Sequence, residues 1–227
     1  MVLESRWLAT RDAAWKRLYR FWAKIFAVSF GLGVVSGVVM SYQFGTNWGP
    51  FSVFAGEVIG PLMGYEVLTA FFLEASFLGI MLFGWDRVGD RMHFVSTVLV
   101  AVGTLISAFW ILSANSWMQT PAGYALVDGK VIPTDWWAVV FNPSFPYRFA
   151  HMVTATFLAT GFAVAGMAAI ALRMRPDDGG ARRSLAMALG LVAVLAPLQV
   201  LIGDAHGLNT AEHQPAKLAA MEGHWRN

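Results

Sequence analysis

The chain has 227 residues, 57% of them hydrophobic and only 13% charged, with a mean hydropathy of +0.55. Soluble domains carry about 25% charged residues, so this composition excludes an ordinary soluble fold and indicates a helical membrane protein. A net charge of +2 gives no footing for nucleic-acid binding, and the lack of cysteine excludes disulfides, thiolate metal centres, iron–sulfur clusters and thioether-linked haem.

The N-terminal segment, MVLESRWLATRDAAWKRLYRFWAK, is charged throughout, so no signal peptide is expected. Five runs then meet the requirement of about 20 apolar residues per crossing. They are Ile25–Phe44, Val58–Gly84, Phe94–Met118, Phe149–Leu172 and Leu185–Gly203. The basic residues orient them, because cytoplasmic segments collect Lys and Arg. One side holds Arg6, Arg11, Lys16, Arg17, Arg20, Lys24, Arg87, Arg91, Arg173, Arg175, Arg182 and Arg183; the other holds Lys130, Arg148, Lys217 and Arg226. Twelve against four predicts a cytoplasmic N-terminus and an outer C-terminal tail.

The first span places Ser29, Gly33 and Gly37 at four-residue spacing, which reads most simply as a face for close helix packing in lipid. The second span holds Glu66 and Glu74 inside its apolar part. A carboxylate at membrane depth is costly and marks a proton or ion route, or a neutral acid gluing helices. On a regular helix their spacing gives about 12 Å of rise and roughly 80° of rotation, so both lie on one broad face. Past the third span, Trp117, Tyr124, Trp136, Trp137 and Tyr147 form an aromatic girdle, and Asp128-Gly-Lys130 reads as a hairpin turn between GYALV and VIPT.

Of the five histidines, His151 lies about one turn inside the fourth span, with Arg148 a turn earlier. Imidazole is a common axial ligand of haem iron, and a guanidinium on the same face could pair with haem propionates. The alternative is a helix-packing or interfacial histidine. No second histidine is expected on a facing span at matching depth. His93 reads as an interfacial polar residue at the inner end of the third span. The tail from Asp204 onward is polar and reads as an outer loop. It has the acids and bases a quinol head-group site needs, but no fixed zinc geometry. Nucleotide loops, catalytic triads and HExxH patterns are absent.

Six stretches together resemble the large subunit of cytochrome bd-type ubiquinol oxidase: FWAKIF (21–26), FGLGVVSGVVMSYQFGTNW (30–48), YEVLTAFFLEASFLGIMLFGWDRVG (65–89), SAFWILSANSWMQTP (107–121), NPSFPYRFAH (142–151) and GDAHGLNTAEHQPAKLAAMEGHW (203–225). HGLNTAEHQPAK is similar to the cyanide-insensitive branch. The resemblance implies an all-α, polytopic bundle over 1–203 and the start of an outer-face quinol-binding loop over 204–227. It implies a bacterial inner-membrane enzyme that oxidises ubiquinol and reduces O2, working with a second subunit amid membrane lipid. His151 then matches an axial ligand of low-spin haem b. Glu66, Glu74 and Ser107 match the proton route to a haem b/haem d pair, and Lys217, Glu222 and Asp204 match the quinol site. The family has one helix before the position of Met1 and more after the quinol loop, so the isolated chain is expected to be inactive. Outside the family, the same acids would suit a haem-free proton-coupled transporter fragment, or the chain would be a non-functional remnant.

Overall fold

A computed structural model describes residues 1–223; His224, Trp225 and Arg226 of the tail lie outside the described residues. The fold is all-α apart from one hairpin. Among the described residues, five helices are long and apolar enough to cross a membrane. The chain divides into two compact units, Met1–Ile111 with Tyr124–Thr134, and Leu112–Gly123 with Asp135 onward.

In the first unit, α1 (Val2–Thr10) ends at Arg11, whose left-handed backbone turns the N–H onto Trp7 O. Asp12 then caps α2 (Ala13–Gly45) by accepting from the Ala14 N–H, so the helix begins well before its apolar run. Only Leu18 and Tyr19 of α2 are buried, and its apolar length is left for lipid or other chains. Pro50 sits in the first turn of α3 (Gly49–Glu66), where its missing N–H costs nothing. A π turn (Val67–Phe71) follows and leads into α4 (Phe72–Phe83). The next helix, α5, runs from Asp90 to Trp117. The predicted hairpin forms: β1 (Tyr124–Val127) pairs antiparallel with β2 (Lys130–Pro133). Asp128 (φ 50°) and Gly129 (φ 74°) both take the left-handed conformation a two-residue hairpin turn requires. β2 packs on α3, burying Val131.

The second unit is built on α7 (Phe145–Met174) and α8 (Gly179–His213), preceded by a short α6 (Trp136–Val140) and followed by α9 (Pro215–Glu222). Asp178 caps α8 by accepting from the Gly180 and Ala181 N–H groups. The reading of the tail as a loop from Asp204 is corrected here, because α8 continues to His213. Its polar residues make cross-helix bonds: buried Asn209 accepts from Ser144 Oγ at 3.0 Å and donates to Pro143 O at 3.2 Å. Asn142, Ser116 and Thr120 extend this buried polar knot, with Asn142 Nδ2 2.9 Å from Ser116 Oγ. Satisfied in this way, polar groups can stay inside a helix pair.

Candidate functional site

The acids of the second span end up on one cavity. The π turn carries an i→i+5 bond from the Phe72 N–H to Val67 O, which fits one extra residue into a turn. Eight residues then do the work of seven, and the offset between Glu66 and Glu74 falls from roughly 80° to about 20°. Ser107 Oγ donates to Glu66 Oε1 at 2.6 Å. Trp110 Nε1 donates to Thr69 Oγ1 at 2.9 Å, and its ring stacks on Tyr65 at 5.2 Å, tying α5 to the π turn. Glu74 is buried, and its Oε1 has no hydrogen-bond partner. Gly103 of α5 makes room for it, since a Cβ there would stand 2.6 Å from Glu74 Cγ.

Glu66, Glu74, Thr104 and Ser107 line a cavity of about 580 Å³ with Gly33 and Gly37 of α2. The small-residue face of the first span is therefore not a packing seam within this chain. No atom comes within 4 Å of a Cβ placed at Gly33 or Gly37, and the missing side chains widen the cavity instead. Two carboxyls and three hydroxyls, those of Ser41, Thr104 and Ser107, in an otherwise apolar pocket can bind and pass protons.

In the second unit, His151 and Gly203 face each other across α7 and α8, with 3.7 Å from a Cβ at Gly203 to His151 Cε1. Gln199 Nε2 lies 3.1 Å from His151 Nδ1 and donates to the His151 carbonyl at 3.2 Å. Arg148 donates to Asn115 Oδ1 at 3.2 Å, while its Nε is buried and unpartnered. His206 corrects the expectation that no second histidine faces His151: its ring centroid is 5.4 Å from that of His151. The continuation of α8 past Gly203 is what brings it there. Among the described residues no three His, Cys, Asp or Glu side chains converge as a metal site.

Lys217 reaches Gln119 Oε1 at 3.3 Å and Gln214 Oε1 at 3.4 Å. This exposed lysine still has a pKa below the ordinary value, first through partial loss of solvent and then through the Arg148 guanidinium. Arg148, His151, His206 and Lys217 thus form one basic neighbourhood. Asp204 and Glu222 are exposed, on α8 and in the last turn of α9. His93, read as interfacial, is fully buried and paired with Glu4, which sequence reasoning did not single out.

Across its full length, residues 1–227, the chain matches the family model for cytochrome bd terminal oxidase subunit I. The chain belongs to that family. It is 35% identical over its whole length to cytochrome bd ubiquinol oxidase subunit 1 of Bacillus subtilis (strain 168), covering 48% of that protein. It is 37% identical to cytochrome bd-II ubiquinol oxidase subunit 1 of Escherichia coli (strain K12), with 99% of this chain and 44% of that protein covered. The bd oxidase structure from Geobacillus thermodenitrificans superposes with a TM-score of 0.91 at 32% identity, over 99% of this chain and 52% of the other. The chain spans about half the length of the relatives it matches. As a subunit I homologue with five spanning helices, it is a multi-pass protein of the bacterial inner membrane.

Proposed function

We propose that this chain forms part of a terminal oxidase that transfers electrons from ubiquinol to O2, together with a second subunit. The observation that carries the reading is the cavity in which Ser107 holds Glu66 while Glu74 keeps a buried, unpartnered carboxyl oxygen. With one oxygen free of any hydrogen bond, the Glu74 carboxyl can take up and release a proton there. Glu74 and Glu66 deliver protons to oxygen as it is reduced, with Ser107 fixing the Glu66 carboxyl. Lys217, Glu222 and Asp204 form the quinol site on the outer face. There the amine and carboxylates bind the head group and accept its protons. Residues 204–227 are the beginning of that quinol-binding segment, and the N-terminus is cytoplasmic.

The residues around His151 fit a haem. Its imidazole is the right donor, and the unpartnered Arg148 Nε, one turn away, offers a cation to a propionate. His151 would hold low-spin haem b, with Gln199 orienting the ring. When bound, this haem and a high-spin haem b/haem d pair supply the redox chemistry and the oxygen-binding iron. The test is made on the complete oxidase complex. Glu74→Gln keeps shape and hydrogen-bonding capacity but cannot carry a proton. Oxygen uptake should fall at least tenfold, about 1.4 kcal/mol of barrier, while the reduced-minus-oxidised haem spectrum persists. A spectrum without haem bands, or turnover within twofold, would reject the assignment.

A further inference from the structure

Glu4 and His93 form a buried hydrogen-bonded pair that the reaction as described leaves unused. Glu4 on α1 is fully buried, and its Oε1 lies 2.5 Å from His93 Nδ1 at the start of α5. Each partner keeps one polar atom buried and unpartnered, Glu4 Oε2 and His93 Nε2. Such atoms are costly to bury, and a buried polar pair is often no better than apolar packing of the same volume. As a mere clamp between α1 and α5, the pair would be an inefficient choice. Trp85 lies over His93 at 3.8 Å, Lys16 and Arg20 each lie 4.8 Å from the Trp85 ring, and Arg11 pairs with Asp90. These basic groups mark the end of the unit that the charge asymmetry assigns to the cytoplasm.

From the pair, a line of hydroxyls follows α5. The Tyr19 hydroxyl lies beside the Glu4 carboxylate and 2.8 Å from Thr97 Oγ1. His93, Thr97, Thr104 and Ser107 fall within roughly 40° of one direction on the helix, over about 21 Å of rise. Tyr19, Thr97 and Thr104 line a cavity of about 220 Å³, and Thr104 also lines the cavity of Glu74 and Glu66. At about 30 Å³ per water, the smaller cavity has room for several waters beside the hydroxyls.

We propose that Glu4–His93 is the proton-loading station for Glu74, connected to it through Tyr19, Thr97 and Thr104. This rests on the reading of Glu74 as a proton carrier. A proton from cytoplasmic water binds His93 Nε2, and the proton on Nδ1 moves to Glu4. Glu4 releases it through the Tyr19–Thr97 hydroxyls and cavity water to Glu74. The pair regains its starting charge once the imidazole resets its tautomer, and no electron moves.

The test uses the complete oxidase complex, with a pH-indicator dye to follow proton uptake during a single turnover with O2 and the reduced spectrum to report haem content. Glu4→Gln should slow uptake at least tenfold with the haem spectrum intact, and Glu4→Gln/Glu74→Gln should be no slower than Glu74→Gln alone. A structural clamp would give additive losses instead. Uptake within twofold in Glu4→Gln, when Glu74→Gln is slow, overturns the loading station and leaves the oxidase reading standing. Normal uptake in both variants overturns both. If Glu4→Gln fails to assemble, Tyr19→Phe, which keeps the ring against Trp85, decides: slowed uptake supports the relay and normal uptake ends it.

Discussion

Gly103 offers a sharp test of the cavity, because its reason for being glycine lies in one side chain. In an unhindered helix, Gly→Ala gains about 1 kcal/mol from reduced backbone freedom. Here the new methyl would meet Glu74 Cγ at 2.6 Å, well inside contact distance, while its other near neighbour, Ala70 O, stands at an ordinary 3.5 Å. Cγ is near the root of the side chain, so Glu74 must change rotamer or α5 must shift, at a cost of roughly 1–3 kcal/mol. Gly103→Ala should therefore destabilise the complete subunit, whereas in a Glu74→Ala background the clash is gone and the same change should be neutral or stabilising. A double-mutant cycle on thermal unfolding in detergent, followed by circular dichroism, isolates a coupling of about 1–3 kcal/mol. If Gly103→Ala costs the same in both backgrounds, Glu74 does not lie against Gly103 and the cavity has been drawn wrongly.

Three further outcomes follow from the geometry. Ser107→Ala strips Glu66 Oε1 of its 2.6 Å bond and should cut oxygen uptake about tenfold, in line with roughly 1.5 kcal/mol for a lost hydrogen bond; Ser107→Thr should restore it. Lys217→Ala should raise the KM for quinol with the haem spectrum unchanged, and spectral loss with normal quinol kinetics would reverse the assignment. Because the chain has no cysteine of its own, single cysteines report topology cleanly. Residue 128 should label from outside and residue 89 from the cytoplasm, and the opposite pattern refutes the orientation.

The five spans were legible because hydropathy and length decide a crossing, and the hairpin was legible because Asp128-Gly129 is among the few pairs that tolerate its backbone. Glu66, Glu74 and Ser107 stood out as polar groups in apolar runs and do line one cavity. What stayed hidden was set by contacts distant in sequence. Nothing near Glu4 announces His93, 89 residues away, and the basic neighbours of His93 made an interfacial role the simpler reading. The outer part of α8 was misread because Asp204, His206, Asn209 and His213 have the composition of a loop. Their helix survives because Asn209 bonds the turn before α7, which no local pattern encodes.

The π turn is the feature least visible in sequence, since no residue of Val67–Phe71 is a helix breaker. It can be probed by deletion. If the turn is a single inserted residue, removing Leu68, which is exposed, should let the segment close as a regular α-helix. Glu66 and Glu74 would then be seven positions apart, still aligned to about 20°, with the helices on either side keeping their faces. Removing Phe77 from α4 is the contrasting case. It rotates everything beyond by about 100° and turns Met81 away from Tyr19 and Val100, the buried cluster it packs with. The Leu68 deletion in the complete oxidase should therefore retain haem assembly and measurable oxygen uptake, and the Phe77 deletion should abolish both. Equal loss in the two deletions would mean that the π turn is not an insertion the helix can shed. The wider turn itself would then be needed, through Thr69 and its bond to Trp110, to keep α5 against the acids.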